Sequence, residues 1–138
     1  MRHVVFRVAT ERFALPLGAV REVVLPQPPF ARVPRSSDAV RGVMNLRGRV
    51  VAVVDLAALM GLAPQPLEGG VGQVLILEHG KRALGFLIGG VLGVEPLAPP
   101  EDSAPGVVRG VAASRVGAVT VLAVEALASE AERLFGGR

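Results

Sequence analysis

Two segments of this chain, VVAVV at residues 50–54 and VTVLAV at residues 119–124, are apolar at nearly every consecutive position. In an extended strand alternate side chains point to opposite sides, so strands of this kind need cover from two directions. An open sheet with one wet face does not supply it, whereas a barrel strand that also packs against a second unit does. The remaining apolar runs are short, rich in Val, Leu and Ile, and broken by Gly and Pro, which is the pattern of an all-β chain. Eleven strands are expected: His3–Ala9, Arg12–Leu15, Arg21–Leu25, Ala31–Val33, Gly42–Leu46, Val50–Asp55, Val74–Glu78, Ala83–Ile88, Val91–Leu97, Val108–Ala112 and Gly117–Val124.

Helical periodicity is confined to two places. Val124, Leu127, Ala131, Leu134 and Phe135 recur at the spacing of one helix face, with Glu125, Ser129, Glu130 and Glu132 between them, so an amphipathic helix is predicted over 124–135. LAALMG after Asp55 reads as a short helix capped by that aspartate, ended by Gly61 and prevented from resuming by Pro64.

The chain also resembles itself. VRGV at 40–43 returns at 108–111, and in that register Arg47 meets Arg115, Val51 meets Val119 and Val53 meets Val121. Upstream, after a register change of three residues, Gly18, Val20, Val23, Pro28 and Pro29 meet Gly89, Val91, Val94, Pro99 and Pro100. Such a repeat implies two similar small barrels divided near PQPLEGGVG at 64–72. The 138 residues, 51% of them hydrophobic, suffice for one compact unit with its own core. We therefore expect a mainly β single domain over 1–138, with subdomain 1 over 12–65, subdomain 2 over 72–124, and a terminal strand at 3–9 able to pair with both.

Against that frame stands RGVMNLRGRVVAVVDL at 41–56, which sets three arginines and an asparagine beside a buried strand. Nucleic-acid binding, a catalytic arginine and a rigid protein-docking surface each use such a combination. The pI of 10.9 favours the first only superficially, because the net charge is a modest +3 and there is no Tyr or Cys to titrate at alkaline pH. The arginines are dispersed and the aromatics are 4%, all Phe, which gives poor stacking platforms. Catalysis lacks its parts: no cysteine, and two histidines, His3 and His79, both expected in solvent. Asp38 and Asp55 read as turn and cap residues, and the glycines of GGVG and IGGVLG lack the lysine of a phosphate loop. No catalytic residue, cofactor site or metal site is expected. The amino terminus has no signal-peptide core and no apolar run is long enough to span a bilayer, so a soluble, intracellular protein is expected.

NLRG and VVDL within that stretch closely resemble the corresponding motifs of CheW-like coupling proteins, the adaptors of bacterial chemosensory arrays. FALPLGAVREVV, RVPRSSDAVRGV and ALGFLIGGVLGV resemble further family segments in the same order, so the resemblance covers nearly the whole chain. Ala52 where the family has Pro, Gly89 where it commonly has Asp, and a short helix without basic residues depart from the pattern.

The resemblance implies two SH3-like five-stranded barrels around a shared core and a non-catalytic adaptor without cofactors. It implies as partners the cytoplasmic tip of chemoreceptors and the regulatory domain of a histidine autokinase, with no direct nucleic-acid contact and no membrane insertion, in the cytoplasm at membrane-associated receptor arrays. It assigns receptor contact to Val20, Glu22 and Arg47, and marks Gly42 and Gly85 as glycines of family motifs and Val94 as a valine of the second hairpin; Gly42, Val43 and Leu46 are expected to belong to the receptor-binding site as well. Arg47 is expected to pair with Glu22 beside an apolar groove of Val20, Val43 and Leu46. A small-barrel RNA-binding protein is the alternative, separable by the steep salt dependence of phosphate contacts.

Overall fold

The computed structural model describes residues 1–27, 30–34, 36–63, 72–79, 82–98 and 106–135. Its first half runs β1 (Arg2–Val8), β2 (Glu11–Pro16), a 3-10 turn (Leu17–Ala19), β3 (Val20–Val24), β4 (Val40–Leu46), β5 (Arg49–Asp55) and α1 (Leu56–Leu59). The second runs β6 (Gln73–His79), β7 (Arg82–Ile88), β8 (Gly90–Pro96), β9 (Val108–Ser114), β10 (Gly117–Leu122) and α2 (Val124–Phe135). The expected strand at 31–33 is instead an isolated bridge, in which Ala31 and Val43 exchange backbone hydrogen bonds of 2.9 and 2.8 Å.

The strands form two five-stranded sheets, ordered β3-β6-β7-β5-β4 and β8-β1-β2-β10-β9. Position for position these are the same sheet. Val40 faces Val54 and Gly42 faces Val53 across a bulge, just as Val108 faces Leu122 and Gly110 faces Val121 across another. A second pair of bulges matches too: Val20 faces Leu77 and Glu22 faces Ile76, while Val91 faces Phe6 and Gly93 faces Val5. The parallel contacts agree, with Val53 beside Gly85 and Val121 beside Ala14. The duplication read from the sequence is thus present in strand register, although its Pro28, Pro29, Pro99 and Pro100 matches lie outside the described residues.

The sheets do not follow the expected subdomain boundaries of 12–65 and 72–124. Hairpin β1–β2 sits in the sheet of the second repeat and hairpin β6–β7 in that of the first, a reciprocal exchange. Linear sequence cannot reveal it, because an exchanged hairpin keeps its strand pattern and changes only its partner. The terminal strand β1 pairs with both β2 and β8, and so does join the two halves.

Exchange explains the doubly apolar strands. Met44, Leu46, Val51, Val53, Val74, Ile76, Ala83 and Leu87 fill one barrel, and Val5, Ala14, Leu97, Ala112, Val119 and Val121 fill the other. Between the barrels lies a larger core that takes Val4, Phe6, Phe13 and Leu15 from one sheet and Val54, Leu75, Leu84 and Phe86 from the other. The Phe6 and Phe13 rings stack there at 6.3 Å. Helix α2 closes this shared core with Leu127 and Ala131 of its predicted apolar face fully buried, Val124, Leu134 and Phe135 packed partly against it, and Ala128 buried beside them.

One expectation fails outright: His3 is fully buried, not solvated. It lies on a strand covered on both faces, where proximity to the terminus gives no exposure. Its Nδ1 donates to the Met1 carbonyl at 2.9 Å and its Nε2 has no described partner. His79 ends β6, and its side chain is outside the described residues. Asp55 is the expected cap, its Oδ1 accepting from the Ala57 N–H at 3.0 Å. Gly61 ends α1 at φ 79°, donating to Ala58 while Leu62 donates to Ala57, the Schellman arrangement. No helix among the described residues is long and apolar enough to cross a membrane.

Candidate docking surface at the end of the first barrel

Leu46 and Arg49 close the β4–β5 ladder, leaving Arg47 and Gly48 as a two-residue turn with φ of 51° and 83°. Two consecutive left-handed residues make the type I′ turn, whose twist matches that of paired strands. Gly48 adopts it freely, whereas Arg47 takes a conformation that disfavours any side chain. Asn45 braces the turn, its Oδ1 accepting from the Gly48 N–H at 2.8 Å. NLRG is therefore a device that fixes one arginine at a hairpin apex.

Arg47 points at β3. Its Nη2 donates to both carboxylate oxygens of Glu22, at 2.8 and 2.6 Å, so the expected pair forms. The bulge between Val20 and Glu22 aims adjacent residues at the same end of the barrel. Arg21 Nε lies 3.8 Å from Glu22 Oε2, and its Nη1 is paired with Glu78 of β6. Arg49 Nη1 donates to the same Glu78 oxygen at 2.8 Å. Three guanidiniums and two carboxylates thus form a continuous chain of ion pairs, Arg47–Glu22–Arg21–Glu78–Arg49, whose two ends rise from the β4–β5 turn, so that chain and turn together make a ring. The hydrogen bond from Arg47 holds the Glu22 carboxyl below its ordinary range, and that from Arg49 does the same for Glu78, against a smaller opposing effect of desolvation.

Inside the ring is a depression of about 140 Å³ floored by Leu46, Val51, Ile76 and Ala83, all from the barrel's own core. It is the open end of the barrel. Of the expected residues, Glu22, Leu46 and Arg47 meet here. Val20 does not join them: it packs against the core between the barrels, as does Val94. Val43 lines a different, outward-facing hollow. The single groove of Val20, Val43 and Leu46 is therefore not formed: Val43 and Leu46, three residues apart on β4, point to opposite faces by alternation, and Val20 on β3 packs into the core between the barrels.

Gly42 and Gly85 are buried and serve close packing. A Cβ on Gly42, at φ 128°, would sit 2.4 Å from the Ala31 carbonyl oxygen, and one on Gly85 would sit 2.8 Å from Val74 Cγ1. Residues missed from sequence are Arg21, Arg49 and Glu78. Glu78 lies opposite Ala83, whose small side chain leaves Arg49 a path across β7; no local spacing signals a contact over an intervening strand. Among the described residues the second barrel shows no such ring; there the backbone N–H of Arg115 donates to Glu95 Oε1 at 2.9 Å.

Among the described residues the site offers charge, a shallow apolar floor and a braced turn, with no nucleophile and base brought together. Among the described residues no cluster of His, Cys, Asp and Glu could hold a metal. Fold and site together define a two-barrel scaffold that works by presenting surfaces. A family profile described as the CheW-like domain matches residues 2–132, and the chain belongs to that family, whose members are scaffolds without enzymatic activity. The chain is 30% identical over 139 residues to a probable chemotaxis protein CheW of Rhizobium etli, covering 94% of this chain and 88% of that one. It is 33% identical over 90 residues to protein PilI of Pseudomonas aeruginosa and 36% identical over 73 residues to CheW of Thermotoga maritima. Those matches cover 65% and 53% of this chain and span only about half of those relatives, 49% and 47% of their lengths. The scaffolding protein TtCheW of Thermoanaerobacter tengcongensis shares the fold, with a TM-score of 0.75 at 24% identity and 88% of each chain covered.

Proposed function

We propose that this chain is an adaptor that couples the cytoplasmic tip of a chemoreceptor to the regulatory domain of a histidine autokinase, acting in the cytoplasm at receptor arrays. The observation that carries the reading is the Arg47 turn. A left-handed arginine on a braced apex, chelating Glu22, has little to give the fold, since exposed ion pairs contribute little stability. Its use is to present a fixed guanidinium beside the apolar floor of Leu46, which suits recognition of a partner with carboxylates and apolar side chains.

In this reading Glu22, Leu46 and Arg47 touch the receptor directly. Val20, Val43 and Val94 contribute from neighbouring faces, and Gly42 and Gly85 set the shape of the strands that carry the site. Modest contacts of this kind gain strength from repetition in an array, and receptor state passes to the kinase through linkage between two interfaces. The RNA-binding alternative loses much of its motive, because Arg21, Arg41, Arg47, Arg49 and Arg133 are all engaged by carboxylates.

The test is a titration of the purified chain against a receptor-tip fragment and a kinase regulatory domain from the same genome, with Arg47→Ala and Glu22→Ala in parallel. Both partners should bind, and each variant should weaken the receptor contact by about tenfold or more, the effect of one lost charge-assisted contact, with unchanged circular dichroism. Absence of binding to either partner by the unaltered chain refutes the coupling role. Affinity for RNA that falls steeply with salt would install the alternative.

A further inference from the structure

A second hollow of about 510 Å³ lies outside the first barrel, within the range of roughly 300–1,000 Å³ typical of ligand sites. Its apolar lining comes from Val33, Val43, Val50, Ala52, Leu84 and the end of α2 at Phe135. On β5 the side chains of Val50, Ala52 and Val54 share one face. Val54 is wholly buried in the core between the barrels, while Val50 is 69% exposed, so the shared core runs out into solvent here. The fold does not require this: in the second repeat the positions of Val50 and Ala52 are held by Ala118 and Thr120 on β10. A large aliphatic on an exposed strand, extended by neighbours into one patch, marks a contact surface.

The rim says what kind of contact. Its charged residues are Arg49 and Arg82, with no carboxylate among the described lining residues. Arg49 is shared with Glu78, whereas Arg82 has no described ion pair. A second copy of this chain is a poor occupant, since it brings the same net charge of +3. We propose that this face docks a short amphipathic acidic segment of another protein, with its aliphatic side chains over Val50 and Leu84 and its carboxylates against Arg82 and Arg49. The inference goes beyond the coupling role: Val50, Ala52 and Leu84 lie on the opposite face of their strands from Leu46 and Val51, and Arg49 and Ala83 border both hollows.

The test is a methyl NMR titration of the full chain with a synthetic helical peptide of about 18 residues, leucines on one face and glutamates on the other. A counterpart carries lysine for glutamate. Saturable shifts at the Val43, Val50 and Leu84 methyls are expected with the acidic peptide, with affinity at least about tenfold weaker for the lysine peptide. Val50→Asp and Arg82→Glu should each weaken the acidic peptide by about tenfold or more with unchanged circular dichroism, and Arg82→Glu should improve binding of the lysine peptide. Glu22→Ala should leave these shifts intact, which separates this face from the barrel end. The proposal is overturned by no saturable shift up to about 1 mM peptide, by equal affinity for both peptides, or by shifts at the barrel end instead. Concentration-dependent shifts of the same methyls without peptide would replace it with self-association.

Discussion

At the scale of single residues, the barrel end depends on the ionisation of Glu22 and Glu78. Both carboxyls are held below the ordinary value of 4.5 by hydrogen bonds from Arg47 and Arg49 respectively. A carboxyl whose folded-state value is lowered contributes its stabilisation fully above the unfolded value, and the contribution disappears as pH falls through the folded one. The ring should therefore persist through pH 4.5 and open only in more acidic solution. Carbon-detected NMR of the two side-chain carboxyls should give midpoints below those of a denatured control, and in Arg47→Ala the Glu22 midpoint should move up toward the control. Gly42 makes a different residue-scale demand. Alanine there would have to take φ 128° and push its Cβ into the Ala31 carbonyl at 2.4 Å and the Phe30 Cβ at 2.9 Å. Gly42→Ala should cost about 2–4 kcal/mol in urea denaturation, and the Val43 amide, which donates to Ala31, should lose hydrogen-exchange protection first.

At the scale of elements, most strands and both helices were legible because their signals are local. Helix α2 is found at 124–135 since its apolar spacing and its packing against the shared core are the same fact seen twice. The Glu22 and Arg47 pairing was legible only through a family resemblance; the bulge at Arg21 and the ring through Glu78 were not, because they arise where strands distant in sequence meet. His3 shows the same limit, its burial being set by β2 and β8 on either side of it. Asp55 was read as a cap and turns out to do more: it also accepts from Arg41 Nη1 at 3.2 Å, tying the β4 bulge to the start of α1 at a site 1% exposed. Asp55→Ala deletes the cap and one partner of a mostly buried pair, so a loss of about 3 kcal/mol is expected in thermal or urea unfolding. Asp55→Asn keeps an oxygen for the Ala57 N–H and should lose less.

At the scale of the whole molecule, the exchanged hairpins decide how the chain holds together. Residues 1–63 contain β1 to α1, yet hairpin β1–β2 finds its hydrogen-bonded neighbours β8 and β10 only in the other half. Likewise β3 and β5 lack β6 and β7. Each half alone would leave strand edges unpaired and the core between the barrels open, which a chain of that length cannot offset with what it still buries. Neither fragment 1–63 nor fragment 72–138 should fold alone, while co-expression should return a stoichiometric complex with the circular dichroism of the intact chain. If the halves were instead independent barrels, each fragment would fold by itself and the two would not associate. Size-exclusion chromatography of the fragments, separately and mixed, distinguishes these outcomes directly. Joining the halves in one chain removes the concentration dependence of that association, so a cut within 64–71 should make the unfolding midpoint rise with protein concentration, whereas the intact chain's stays constant.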